Sequence, residues 1–175
     1  MQLDAGNFGA ILRSAFFLGA DAVVTTSHSA PLSAVALKAS AGAAELLPLM
    51  TAAQPFTFLD SCKSRGWKIF AANAPSSPAR GKKKSLLTSQ LGNPLQQSPC
   101  ILIMGSEGEG LRERIMKKAH FDLGIEGQRM GQGGVDSLNV SVAAAVLIEA
   151  FVNRRSVPSE TKDNDTKEED NNQLF

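Results

Sequence analysis

The sequence has no tyrosine, one tryptophan and two cysteines among its 175 residues. Phenylalanine supplies nearly all its aromatic content, which argues against a large aromatic platform for stacking nucleic acid bases. Cys62 and Cys100 cannot build a disulfide framework or a cysteine-rich zinc site, and such sparing use of cysteine points to a reducing compartment. No His-x-x-x-His or Cys-x-x-Cys pair occurs, so no metal site is expected. No apolar run approaches the roughly 18–20 residues that cross a bilayer, and no membrane span is expected. A strong net charge is missing too. The formal total is +1, but six acids and two lysines between Ser159 and Asn172 leave that stretch at −4 and the remainder at +5. A mildly basic body can approach a polyanion, though +5 is equally the balance of a plain soluble surface.

What is present fits one globular domain. Hydrophobic residues make up 43% and charged residues 20%, which excludes disorder throughout and allows a core. No leader precedes the first patterned segment, and the abrupt start predicts a domain taken from a longer protein. The spacing predicts a helix over 7–18, capped by Asn7, with Phe8, Ile11, Leu12, Ala15 and Phe16 on one face. Short strands are expected at 22–26, 46–50, 67–72, 100–104 and 121–125, and helices at 32–40, 56–64, 111–118 and 137–153. Alternating helices and apolar strands predict an α/β domain with a mostly parallel sheet. Cys100–Met104 has no polar interruption and is expected to be buried on both faces. The segment 75–99, rich in Pro and Gly and carrying Arg80 and Lys82 to Lys84, reads as a loop, either a solvated surface or a phosphate contact. Beyond residue 156 the chain turns polar and acidic, and 157–175 is expected to be a disordered tail.

Three segments could carry chemistry. Gly105-Ser106-Glu107-Gly108-Glu109-Gly110 lies between an apolar strand and a helix. It is either a tight turn or a place where backbone amides approach a ligand. Its G-x-x-G-x-G spacing matches neither the dinucleotide fingerprint nor a P-loop, and its two glutamates suit a cationic or zwitterionic ligand. In Asn7-Phe8-Gly9-Ala10-Ile11-Leu12-Arg13-Ser14-Ala15, an arginine in an apolar helix calls for an anionic partner, either an ion pair or a substrate. In Ser137-Leu138-Asn139-Val140-Ser141-Val142-Ala143, Ser or Asn can simply cap a helix, but the glycine-rich stretch before it suggests backbone bent around something. His28 and His120 stand alone and read as structural or surface residues. Cys62 and Cys100 read as small buried apolar residues, and Phe16, Phe17, Phe56 and Phe58 as core.

In this order, the three segments resemble the SpoU/TrmH class of SPOUT RNA ribose 2′-O-methyltransferases. N-F-G-A-I-L-R-S-A looks like that family's first motif, I-M-G-S-E-G-E-G-L like its second and S-L-N-V-S-V-A like its third. The match runs from residue 4 to about 155, and Ile125-Glu126-Gly127-Gln128-Arg129 is similar to the mitochondrial large-subunit rRNA guanosine 2′-O-methyltransferases. The resemblance implies a SPOUT-type α/β knot, with a mostly parallel sheet flanked by helices and a deep C-terminal trefoil knot, a rare exception to unthreaded chains. It implies a catalytic domain over residues 1–156, whose first strand is shortened to Met1–Leu3, and an N-terminal RNA-binding domain outside this chain. It implies S-adenosylmethionine held by Gly105, Gly110, Ile125, Gly127 and Leu138, with the 127–134 loop shaping the pocket. Arg13 becomes the main catalytic residue, with Asn7, Glu107, Ser137 and Asn139 around it. The implied partners are RNA and a second copy of the chain, the helix at 140–151 contributing to a homodimer, and the implied compartment is the mitochondrion. Three rival readings stay open: a knotted module that binds RNA or cofactor without turnover, an enzyme that methylates tRNA, and a different α/β enzyme using a nucleotide.

Overall fold

The computed structural model describes residues 4–27, 29–73, 84–105, 113–129 and 137–152. Helix α1 (Ala5–Leu18) opens the fold. Its cap is Asp4, whose carboxylate accepts from the N–H groups of Gly6 (2.9 Å) and Asn7 (3.1 Å). Asn7, the expected cap, lies inside the first turn, because Asp and Asn are equally good caps and the one that comes first takes the place. The helix stops at Gly19, whose φ of 84° is the left-handed conformation that a residue without a β-carbon adopts at no steric cost.

Strand β1 (Val23–Thr26) follows, then α2 (Ala34–Ser40), the short α3 (Ala43–Leu46) and β2 (Leu49–Ala52). The expected strand at 46–50 thus begins later, since Leu46 completes the turn of α3. β1 and β2 pair in parallel, Val23 opposite Leu49 and Thr26 opposite Ala52. A separate four-stranded sheet holds β3 (Lys68–Ala72), β4 (Lys84–Leu87), β5 (Cys100–Ile103) and β6 (Phe121–Gly124) in the order β4-β6-β3-β5, and every pairing is parallel. Helix α4 (Pro55–Ser64) precedes β3, α5 (Glu113–Met116) joins β5 to β6, and α6 (Val140–Val152) closes the described part of the chain.

Two expectations fail here. The Pro- and Gly-rich stretch contains strand β4, short and half-exposed at the sheet's rim, where a four-residue pattern is too brief to announce itself. β5 is half-buried along its length, because it forms the opposite rim of its sheet among the described residues. The strands buried on both faces are the two central ones, β6 and β3. Phe70 of β3 packs with Leu123 and with Leu147, Ala150 and Phe151 of α6. Ile69 and Ala71 of β3 pack on the other side with Leu59 of α4 and Ala119. Phe70 stacks on Phe121 and meets Phe151 edge-on, both at 5.0 Å between centroids, favourable arrangements for ring quadrupoles. His120 is structural, as expected: its Nδ1 accepts from the N–H of Ile69 (3.0 Å), and its own N–H donates to the Ile69 carbonyl (2.8 Å). His28 lies outside the described residues.

The other core gathers Phe8, Leu12 and Ala15 of α1 with Ala30, Ala36 and Leu47, and Ile148 of α6 packs against it. α6 therefore touches both cores and ties the two sheets together. Leu12 is fully buried, a side chain whose burial contributes about 1.5–3 kcal/mol. Gly9 is required where α1 meets α2, since a β-carbon there would stand 2.2 Å from the carbonyl oxygen of Ala36 and 2.7 Å from the β-carbon of Ala39. Phe16 and Phe17 are not core: they are 44% and 85% exposed. Phe8, Leu12 and Ala15 define the buried face, and Phe17 projects about half a turn away from Phe8 at 100° per residue. Phe58 does pack in the core around Leu59, while Phe56 is half-buried beneath the guanidinium of Arg114 at 4.9 Å. Cys62 is buried and Cys100 half-buried.

Candidate active site

The first and third motifs meet. Asn139 precedes α6 as its cap: its Oδ1 accepts from the N–H groups of Ser141 (2.9 Å) and Val142 (3.4 Å) and from the Ser141 hydroxyl (2.6 Å). The first helical bond runs from the Ala143 N–H to the Asn139 carbonyl. The expected helix thus starts three residues after Ser137, and Ser137 and Leu138 lie on the approach to it, exposed. The other end of the same side chain, Nδ2, donates to Oδ1 of Asn7 at 3.1 Å across 132 residues of sequence. One carboxamide caps one helix and grips the first turn of another.

Arg13 stands on α1 with its side chain exposed, roughly 9 Å along the axis from Asn7 at 1.5 Å per residue. Gly105 follows β5 and Ile125 follows β6, and both are half-buried. These strands run parallel to β3 between them, so both residues stand at the carboxyl edge of the sheet, where ligands of open α/β sheets bind. Ile125 packs into the core around Phe70, Gly127 is exposed two residues on, and Leu138 is half-exposed before α6. Glu107 and Gly110 lie outside the described residues.

One contact at this edge had no sequence signal. The Ser89 hydroxyl, from the turn after β4, donates to Oε1 of Glu126, and it ties the Ile125-Glu126-Gly127 segment to a stretch read as loop. Nothing in the local pattern at Ser89 distinguishes it from any other loop serine. Among the described residues no cluster of three or more His, Cys, Asp or Glu side chains could hold a metal ion. No described helix is long and apolar enough to cross a membrane.

The model of the SpoU rRNA Methylase family matches residues 3–149. The chain belongs to the SpoU rRNA methylase family. Among relatives of this SpoU methylase, the human mitochondrial rRNA methyltransferase 1 is 34% identical over 153 residues, covering 87% of this chain and 43% of its own. The 23S rRNA (guanosine-2′-O-)-methyltransferase RlmB of Pseudomonas putida is 33% identical over 156 residues, covering 88% and 56%. Among solved structures, an RNA 2′-O ribose methyltransferase superposes with a TM-score of 0.67 at 30% identity, over 88% of this chain and 55% of that one. An AdoMet-bound rRNA methyltransferase from Sinorhizobium meliloti gives 0.73 at 22% identity, over 90% and 54%, which shows the shared fold. The SpoU methylase chain spans about half the length of the relatives it matches. The family match takes in α1, all six strands and most of α6, and so includes every expected site residue.

Proposed function

We propose that this chain carries the catalytic unit, residues 1–156, of an S-adenosylmethionine-dependent methyltransferase acting on a ribose 2′-hydroxyl of mitochondrial large-subunit rRNA, at a guanosine. The observation that carries the reading is the hydrogen bond from Asn139 to Asn7, because it joins the first and third motifs side chain to side chain, in addition to the packing of α6 on α1. The names of the relatives support the substrate: mitochondrial rRNA methyltransferase 1 in human, fission yeast and budding yeast, and a 23S rRNA guanosine-2′-O-methyltransferase in bacteria. The same names support a mitochondrial location.

The residues present fit the cofactor. Gly105 and Ile125 offer backbone groups at the carboxyl ends of the two parallel strands that flank β3, and Leu138 offers an exposed apolar side chain at the foot of α6. Gly110 and Gly127 complete the proposed holding set. When bound, S-adenosylmethionine supplies an already activated methyl group on a cationic sulfur. The protein's task is alignment and charge management. The Arg13 guanidinium offers only N–H donors and no acceptor, so it binds a phosphate or the oxygen that develops negative charge, while another group takes the proton. Asn7 and Asn139, fixed by each other, set the position of the first turn of α1, and Glu107 and Ser137 complete the set. The deep trefoil knot belongs to this proposal, as does a homodimer. The homodimer is supported by the apolar surface left on α1 at Phe16 and Phe17 and on α6 at Val142 and Val146.

Calorimetry with S-adenosylmethionine and mapping of 2′-O-methyl marks in mitochondrial rRNA, with and without the full-length protein, test the reading. Loss of one ribose mark in its absence is expected. Cofactor binding with every mark intact would turn the assignment to a binding module without turnover, and a lost mark in tRNA instead would move the substrate.

A further inference from the structure

A second concavity stands beside the first turn of α1. It is a cleft of about 360 Å³ lined by α1, β1, β2 and the loop after β1, within the roughly 300–1,000 Å³ of small-ligand sites. Phe8, the residue after Asn7, lines one side, and Leu49 lines another. The polar side chains among the described lining residues all carry hydroxyls, from Thr25, Thr26, Ser29 and Thr51 among others, and no charged side chain is among them.

These hydroxyls are held in place by one another. Thr25 Oγ1 donates to the Met50 carbonyl at 3.1 Å and lies 3.1 Å from Thr51 Oγ1. Ser29 Oγ accepts from the Thr26 N–H at 2.9 Å and lies 3.3 Å from Thr26 Oγ1. A hydroxyl carries one proton and two lone pairs, so Thr25 and Thr51 keep these bonds and still present acceptor capacity to a ligand. The described lining, with no charged side chain, is wrong for a phosphate, which calls for Arg, Lys or a row of backbone amides. It suits a flat, uncharged ring with donors and acceptors on its edge, the form in which RNA-binding proteins take unstacked bases.

We propose that this cleft receives one unstacked nucleobase of the RNA strand, while the ribose and phosphate beside it lie toward Asn7 and Arg13. The inference rests on the methyltransferase reading for the identity of the polymer, but not for the chemistry of the cleft. It makes Thr26 and Thr51 specificity-determining residues rather than catalytic ones.

The test is a methyl NMR titration of the chain with guanosine 5′-monophosphate, and with ribose 5-phosphate as the probe that lacks a base. Guanosine 5′-monophosphate is expected to shift the methyl signals of Thr25 and Leu49, and ribose 5-phosphate to leave them in place. The T26V/T51V double variant keeps side-chain shape and is expected to weaken the nucleotide about tenfold. T51V alone, at an exposed position, serves if the double variant does not fold. Methyls unmoved by the nucleotide, or moved equally by both probes, would overturn the proposal. S-adenosylhomocysteine is added separately, with Ile125 and Leu138 as reporters. Their silence would sink the cofactor reading while the result at the cleft stands by itself.

Discussion

Helices α1 and α6 pack against each other but begin in different ways. α1 is capped by Asp4, whose carboxylate serves only its own first turn. α6 is capped by Asn139, whose oxygen serves its own turn and whose nitrogen reaches Asn7. A carboxylate is acceptor only, whereas a carboxamide has a donor to spare once its oxygen is engaged. The choice between two equally good caps therefore decides whether a helix start is a local matter or a joint between distant parts of the chain. α1 in turn carries Arg13, the one charged residue within the helix.

The largest effect should come from taking that charge away. Arg13→Ala is expected to lower methyl transfer by about 10²–10³-fold, the loss typical of a group that stabilises developing charge. Thermal unfolding should shift little, because the side chain is exposed. Arg13→Lys with near-normal turnover would show that the planar fork is dispensable. Next, Gly9→Ala attacks the seat of α1 by forcing a β-carbon against the Ala36 carbonyl. A loss at the upper end of about 1–3 kcal/mol is expected in denaturant unfolding.

The caps themselves sharpen the contrast. Asp4→Ala and Asn139→Ala should each cost about 1 kcal/mol of stability, but only the second should also reduce turnover per folded molecule. Asn139→Asp retains a capping oxygen and loses the donor to Asn7, so stability should hold while turnover falls about tenfold. Equal kinetic effects at positions 4 and 139 would erase the distinction between the two caps. The smallest effect lies away from both helices. Burial pushes the Cys62 thiol up from its ordinary value, and nearby Arg65 opposes this weakly. Folding favours the protonated thiol, so its contribution is whole below the ordinary thiol pKa and declines as pH rises past it toward the folded value. Denaturant unfolding at rising alkaline pH should show a slightly shallower decline in Cys62→Ala than in the parent protein.

Much of this molecule could be read before it was seen, for identifiable reasons. The α1, β3 and α6 segments are long or uniform enough for their period to speak, and Gly19 ends α1 as its chemistry requires. The three motifs marked the site because glycine, asparagine and arginine in apolar surroundings need an explanation. What could not be read depends on partners distant in sequence. β4 is a strand only because β6 runs alongside it. Among the described residues β5 is a rim strand, although its composition suits a centre. Phe17 shares its type with core residues and differs from them only in angle around α1. The Ser89–Glu126 tie and the hydroxyl-lined cleft are each made of ordinary polar residues, and only the fold assembles them.

The missing β-carbon at Gly9 has a reach beyond its own contact. With the backbones of α1 and α2 pressed together there, α1 can neither spin about its axis nor slip along it without pushing α2 aside. The azimuth of every side chain on α1 is thereby indexed to its neighbour, and Asn7 and Arg13 become two marks on one fixed dial, pointing about 120° apart at 100° per residue. A single missing β-carbon thus sets the bearing of both side chains proposed for the site.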